Sequence, residues 1–287
     1  MRTTRPPSYD IASEFPALAP LARMTVRLHP RPAEVPIDAS RIGGRFRWPA
    51  TVDWPRCALP HMDWSLVPSS IPPDGRPHVS VLQLRRADVP ELDFPLDTDV
   101  FQLLWCPNDH DDPLYVASAS AHWWREGDLV DTVPPTPHPD SEYLPRTCSV
   151  DPERVSEYPN ISDLPDGLRE SIHASEGSAV FGPRYQYLLS SAPGTKVGGH
   201  PNWFQEPEWP SCDAGHRMDH LLTIDDTEFD GGTWPRWLPI EEEHVWQGPT
   251  DERLRVQTPT ALHLMGSLYI FICRACDHLP IAQVYQR

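Results

Sequence analysis

One stretch occurs twice in this chain, and the repeat constrains the fold more than any other feature. Ile42-Gly43-Gly44 runs on through Trp54-Pro55 to Cys57, and Val197-Gly198-Gly199 runs on through Trp209-Pro210 to Cys212. The paired glycines, the Trp-Pro step and the cysteine all recur at one offset, 155 residues. The segments after each cysteine also repeat in kind. Val79–Leu84 and Met218–Ile224 are short apolar runs, and Asp99–Cys106 and Gly266–Cys273 are later ones that both end in cysteine. Runs apolar at successive positions are the mark of strands buried on both faces. The chain is therefore expected to consist of two duplicated halves. Insertions in loops account for the unequal intervals after the first cysteine of each half.

Proline sets the second limit. With 36 prolines in 287 residues, long helices and long central strands should be scarce. The expected class is α+β: mainly antiparallel β-sheet, with few short helices and many Pro-rich loops. The dense prolines between Asp131 and Pro145 mark the strongest boundary. They give residues 1–130 as the first half with its lead-in, 131–180 as a connector with a short helix, and 181–287 as the second half.

Smaller elements are set by local pattern. Ile11, Phe15 and Leu18 predict a short lead-in helix capped by Ser8 or Asp10, with Pro16 in its early turns and Pro20 ending it. Met24–His29 alternates as a strand, and residues 58–78 read as a loop or insertion. Tyr115–Trp124 is a strand hairpinned to Asp99–Cys106 through Pro107–Pro113. Asp163–Ser175 predicts a helix, with Asp163 as cap, Pro165 early, and Leu168 and Ile172 as an i, i+4 pair. Tyr185–Leu189 predicts a strand ahead of the second Gly-Gly.

The net charge of −17 repels phosphate backbones and anionic lipid headgroups, which argues against nucleic acid and membrane as direct partners and suits a basic protein. No stretch approaches the ~20 apolar residues of a membrane span. Behind Arg2 and Arg5 stand Pro6, Pro7 and a polar run, where a signal peptide would carry its apolar core. The expectation is a cytoplasmic protein whose six cysteines are reduced thiols or metal ligands.

Chemistry is sparse. The glycine pairs have no good helix and no Lys-Ser/Thr after them, so they read as tight turns rather than a phosphate cradle. The cysteines carry more. If each final strand returns beside its own Trp-Pro-x-Cys loop, each half brings two thiols together. The second half adds Cys276, and Cys212, Cys273 and Cys276 with either His216 or His278 have the ligand types of a structural zinc site. Trp209 stands where the first cysteine of a second close pair would be. The first half offers Cys57 and Cys106 with His110 nearby, a thinner set. Buried free thiols are the plainer alternative in both halves. A redox role for Cys273-x-x-Cys276 lacks the cationic or helix-terminal surroundings that lower a thiol pKa. Asn108–Asp112 lacks the glycine and terminal glutamate of a calcium loop, and Glu241–His244 reads as an exposed charge run. Tryptophans cluster around the repeated loops. Trp48, Trp203, Trp209, Trp234 and Trp237 are core if buried and binding hot spots if exposed.

The ordered elements resemble the bacterial YwqG-like family: Ser40-Arg41-Ile42-Gly43-Gly44, Trp54-Pro55, Val81-Leu82-Gln83-Leu84, Val89-Pro90 and the Asp99–Trp105 strand. The second half, with Val197–Trp203, Cys212, Leu221–Ile224 and Leu268–Cys276, is similar to the same pattern. It also resembles the eukaryotic programmed-cell-death-protein-two (TYPP) proteins. The resemblance covers about residues 25–125 and 185–280. It implies an antiparallel-rich α+β fold of duplicated halves and a protein-binding platform of the chaperone kind. Thr223 departs from the glutamine that family favours. The resulting expectation is a non-enzymatic, chaperone- or immunity-like protein-binding module with an acidic, Trp-containing face. The alternative is a hydrolase or other small-molecule enzyme with a site between the halves, using His200, His216 or Asp225/Asp226.

Overall fold

The apolar runs foreseen in the sequence form the middle of two six-stranded antiparallel sheets. The computed structural model describes residues 1–59, 61, 75–110, 116–132, 143–177 and 184–287. The strands of the two sheets are β1 (Arg23–Arg27), β2 (Arg31–Pro32), β3 (Arg41–Ile42), β4 (Val79–Arg85), β5 (Val100–Cys106), β6 (Ser118–Trp124), β7 (Cys148–Ser149), β8 (Glu153–Glu157), β9 (Lys196–Gly198), β10 (Asp219–Asp225), β11 (Ser267–Ile272) and β12 (Ile281–Gln286). One sheet has the order β8-β1-β9-β10-β11-β12, the other β2-β7-β3-β4-β5-β6. β5 and β11 are buried at every position, so neither alternates, whereas the outer strands β6 and β12 are mostly half-buried. The α+β, mainly antiparallel class is the observed one, and no helix among the described residues is long and apolar enough to cross a membrane.

The units are not the sequential stretches 1–130 and 181–287. The first unit comprises Met1–His29, Asp151–Pro259 and Gly266–Arg287, and the second Pro30–Val150 and Thr260–Met265. The reason is strand pairing. β1 lies between β8 and β9, with Val26 opposite both Arg154 and Val197, so the lead-in belongs to the sheet of the later chain. β7 lies between β2 and β3 in the other sheet. Much of the Pro-rich boundary, residues 133–142, lies outside the described residues, as do residues 62–74 of the loop at 58–78 and Tyr115.

The two sheets share local detail. Both glycine pairs have positive φ, at 62° and 75° for Gly43 and Gly44 and 66° and 69° for Gly198 and Gly199. The long strand after each pair carries one register shift, between Ser80 and Leu82 and between His220 and Leu222. Close approach adds to the backbone requirement. A Cβ at Gly43 would stand 2.5 Å from the Pro145 carbonyl oxygen, and one at Gly199 would collide with the Glu157 carboxylate. The glycines are turn residues, as their surroundings in the sequence imply.

Local predictions met tertiary competition in three places. The lead-in helix forms only over Ile11–Glu14, with the Asp10 carboxylate accepting from the Ala12 amide, and a separate tighter turn runs through Pro16–Leu21 with Pro20 inside it. The later helix runs over Asp166–Glu176 behind Pro165, without a side-chain cap, because Asp163 is committed elsewhere. Tyr185–Leu189 is not a strand but one wide helical turn, closed by the Ser190 amide on the Tyr185 carbonyl. Helical spacing places Tyr185 and Leu189 together in a cluster with Ile11, Leu18, Leu164 and Ile172.

A buried ion pair locks the Gly-Gly turn of the first unit. Lys196, the chain's single lysine, and Glu157 are both fully buried, with Nζ 2.9 Å from each carboxylate oxygen. The same carboxylate accepts from the Ala192 and His200 amides, each at 2.6 Å. Burial lowers the Lys196 pKa, opposed by Glu157. Breaking a buried pair strands its partner's charge. Glu157→Gln is therefore expected to lower stability by roughly 3–5 kcal/mol, read as a shift of the urea unfolding midpoint at unchanged slope. A shift below about 1 kcal/mol would contradict this account.

Candidate metal centre

Two hairpins of the first unit bring Cys212, His216, Cys273 and Cys276 to one point. The first is the Cys212-Asp213-Ala214-Gly215-His216 turn. The Gly215 amide bonds the Cys212 carbonyl at 2.8 Å, the Cys212 amide bonds the His216 carbonyl at 3.0 Å, and Gly215 at φ 80° lets the chain reverse. The second is the connection from β11 to β12. There the Cys273 amide bonds the Pro280 carbonyl and the Leu279 amide bonds the Cys276 carbonyl, each at 2.9 Å. Each turn presents two ligand atoms to the other.

The spacing of those atoms is that of a tetrahedron. Ligands at zinc distances, about 2.3 Å for sulfur and about 2.0 Å for nitrogen, stand roughly 3.8 Å apart between two sulfurs and roughly 3.6 Å apart between sulfur and nitrogen. Here Cys212 Sγ lies 3.8 Å and Cys273 Sγ 3.6 Å from Cys276 Sγ. His216 Nδ1 lies 3.6, 3.7 and 3.6 Å from the sulfurs of Cys212, Cys273 and Cys276. All four ligand atoms fall within 4.8 Å of one another. Such separations are far beyond the ~2.05 Å of a disulfide, and none of the six cysteines forms one. Between His216 and His278, which the sequence left open, the geometry selects His216; His278 is exposed and outside the group.

The thiols are electrostatically unequal. Burial resists ionisation of Cys212, but hydrogen bonds from the backbone at His216 and Ala214 and from the Cys273 and Cys276 thiols outweigh it and bring its pKa to about 7. The Cys273 thiol, with burial and Cys212, pushes Cys276 up to about 12. Cysteines hydrogen-bonded to one another suit a site that sheds protons when a cation enters.

Tryptophans hold this arrangement from below. Both the Trp203 and Trp209 indole N–H groups donate to the Asp163 carboxylate, at 2.7 and 2.8 Å, and the Arg217 guanidinium lies 4.3 Å over the Trp209 ring. Trp203 packs on Tyr269 and Phe271 in a cluster that includes Cys273, with Cys212 and Cys276 against it. Of the five tryptophans offered as a binding surface, Trp48, Trp203 and Trp237 are 2%, 4% and 0% exposed and belong to the core. Their large apolar rings are worth more buried than displayed. Trp209 and Trp234 are half-buried.

A parallel set assembles in the second unit: Cys57, His61, Cys106 and His110, again with all ligand atoms within 4.8 Å of one another. Both sets can hold a metal ion. Cys57, Cys106 and His110 are legible as candidates in the sequence, and His61 is the residue that sequence reasoning missed. Its signal was present, since Cys57-x-x-x-His61 and Cys212-x-x-x-His216 repeat at the same 155-residue offset as the glycines.

The remaining candidates do not gather into a site. His200 donates to the Leu21 carbonyl at 2.9 Å, and burial drops its pKa to about 3. The buried Asp225 carboxyl bonds the Ser267 hydroxyl at 2.5 Å and the Thr227 amide at 2.9 Å. His216 is taken by the thiol cluster. All of these residues, with Asp226, belong to one unit. A cavity of about 540 Å³ in that unit is lined by Arg5, Tyr9, Asp10, Glu153, Tyr158 and Arg236 among others, and by no histidine. The Glu241–Glu243 run is structural rather than free: its carboxylates bond the Thr3 amide, Arg2 and Arg5. No protein-family model matches the chain, and no curated protein matches it.

Asp225 makes a pH prediction. Burial pushes its carboxyl up to about 7, against the opposing hydrogen bonds of Ser267 and Thr227. The unfolded chain releases that proton near pH 4, so folding takes one up between about pH 4 and 7. The contribution is greatest below pH 4 and declines as pH rises to 7. The stability difference between wild type and Asp225→Asn is expected to change by on the order of 1.4 kcal/mol per pH unit across that window. Parallel denaturation curves from pH 4.5 to 7.5 would show it, and a pH-independent difference would refute the assignment.

Proposed function

We propose that this chain is a non-enzymatic, cytoplasmic protein-binding module, chaperone- or immunity-like, in which zinc at Cys212, His216, Cys273 and Cys276 is a structural staple. One observation carries the zinc reading: five of the six separations among the four ligand atoms are edge lengths of a tetrahedron, and all four corners are protein groups. Catalytic zinc keeps one corner for water, whereas structural zinc is closed by Cys and His. The ion would tie the Trp-Pro-x-Cys loop to the β11–β12 turn and so fix the one end of the sheet where β10 begins, β11 finishes and β12 starts.

The binding reading draws on the net charge of −17, which favours a basic protein partner, and on the half-buried Trp209 and Trp234 and the exposed Phe204. The ordered likeness to the YwqG-like and TYPP proteins supports it, as do the matching order of the last four strands of each sheet and the matching register shifts, which we take as two copies of one ancestral unit. The buried, internally bonded state of His200 and Asp225 gives the enzyme alternative no support.

Purified full-length protein is expected to carry zinc by elemental analysis, and Cys212→Ser to lose one ion per chain together with several degrees of thermal stability. Zinc-free wild type that unfolds at the same temperature with and without added zinc would end the structural reading. For the binding reading, a stoichiometric partner captured from the native host at low salt and released at high salt is expected. Capture that salt does not weaken would overturn the electrostatic part.

A further inference from the structure

The cluster of the second unit has features that packing alone does not explain. Cys57 stands on a short ladder in which Arg56–Cys57 pairs with Arg76–Pro77, and Cys106 ends β5. Their thiols meet two imidazoles. Cys57 Sγ lies 3.3 Å from His110 Nε2, and Cys106 Sγ lies 3.1 Å from His61 Nε2. The backbones of His61 and His110 form an isolated β-bridge, and their rings lie 4.9 Å apart, so backbone pairing registers the two imidazoles. Cys57, Cys106 and His110 are buried and His61 is half-buried. Four soft or nitrogen ligands thus aim inward at one point, where a packed core would place apolar groups.

The other ring nitrogen of His110 points the same way. Its Nδ1–H donates to the Val116 carbonyl at 3.0 Å. That bond fixes the tautomer and leaves the Nε2 lone pair facing the thiols, the arrangement that metal-binding histidines adopt. His61 Nδ1 is buried without a hydrogen-bond partner among the described residues. The observed sulfur–nitrogen separations are those of thiol–imidazole hydrogen bonds. An ion would replace the thiol protons and spread the pairs by roughly 0.3–0.5 Å to tetrahedral distances.

We propose that Cys57, His61, Cys106 and His110 form a second zinc site, of Cys2His2 type, more enclosed and slower to release its ion than the Cys3His site of Cys212. The inference rests on the reading that Cys/His groups of this chain hold zinc, and it adds a site, a stoichiometry and an order of release. The order is a consequence of burial. At the Cys212 site His216 is exposed and only Cys273 is buried, so a chelator reaches that ion from solvent, whereas the Cys57 site exposes part of His61 alone.

The test uses the full chain, with zinc counted by elemental analysis and its release into excess EDTA followed in time. Two ions per chain are expected, leaving in two phases of equal amplitude whose rates differ at least tenfold. Cys212→Ser should retain one ion and only the slow phase, and Cys57→Ser one ion and only the fast phase. Should Cys57→Ser fail to fold, His61→Ala, on a half-buried loop side chain, should selectively accelerate the slow phase. Cobalt substituted into Cys212→Ser should show tetrahedral visible bands with two-thiolate charge-transfer intensity, about two-thirds of that from the three-thiolate site. A wild-type chain with one ion that survives Cys57→Ser and is lost in Cys212→Ser overturns this inference while leaving the Cys212 site standing. Two ions leaving in one phase overturn the order of release. Absence of zinc from every form removes both sites.

Discussion

The Glu157–Lys196 pair is the interaction on which the first unit's geometry depends. Two opposite charges with no solvent contact are tolerable only when every polar atom finds a partner. Glu157 meets that condition by accepting from Lys196 and from the Ala192 and His200 amides, three groups at separate positions along the chain. The constraint propagates. The carboxylate occupies the space where Gly199 would carry a Cβ, so the glycine is required there. The turn beyond it delivers Asn202 and Trp203, whose ring supports the Cys212 loop through Asp163. In the second unit the equivalent turn wraps an arginine instead: the Arg41 side chain bonds the Gly43, Val35 and Pro36 carbonyls. One backbone device thus closes on two different charges.

The polar interior of the second unit's sheet shows a milder solution to the same problem. Gln83 and Gln102 face each other across β4 and β5. Gln102 donates to the Gln83 side-chain oxygen at 2.7 Å and to the Arg47 carbonyl, while its own oxygen accepts from the Trp124 indole. Gln83 in turn donates to the Ile37 and Ala39 carbonyls. Neutral amides pin the entry loop to mid-sheet without the desolvation cost of an ion pair. In the first unit's sheet Thr223 and Tyr269 occupy a comparable cross-strand pair, and the ion pair beside them does the pinning.

Much of the candidate site was legible in the sequence because ligand chemistry is local. Cys273-x-x-Cys276 at the end of an apolar strand, and a cysteine closing each Trp-Pro loop, need only that hairpins return. Partnership across distance did not show. Asp163 reads as a helix cap because a short acidic side chain before Pro165 fits that role, yet two indoles 40 and 46 residues away claim its carboxylate. Tyr185–Leu189 reads as a strand because five mixed apolar residues carry no period of their own, and the cluster around Ile172 chose the helical turn. Trp48, Trp203 and Trp237 could not be divided between core and surface until the sheets that cover them were in place.

By itself the sequence determined the class of fold and the places of its most apolar strands. Apolar runs too short for helices and broken by proline can bury themselves only as strands, and glycine pairs before them can only be turns. It also supplied the cysteines of each ligand set, because residue type does not depend on conformation. Tertiary structure alone decided the rest. It placed β1 beside β9 and β7 beside β3, so that each sheet draws strands from distant parts of the chain. It selected His216 over His278 and added His61 to the other cluster. The physical reason is common to all three. Backbone periodicity reports which face of a segment is apolar, but hydrogen-bond pairing between segments is satisfied equally well by any partner of matching length, and only the packed whole distinguishes them.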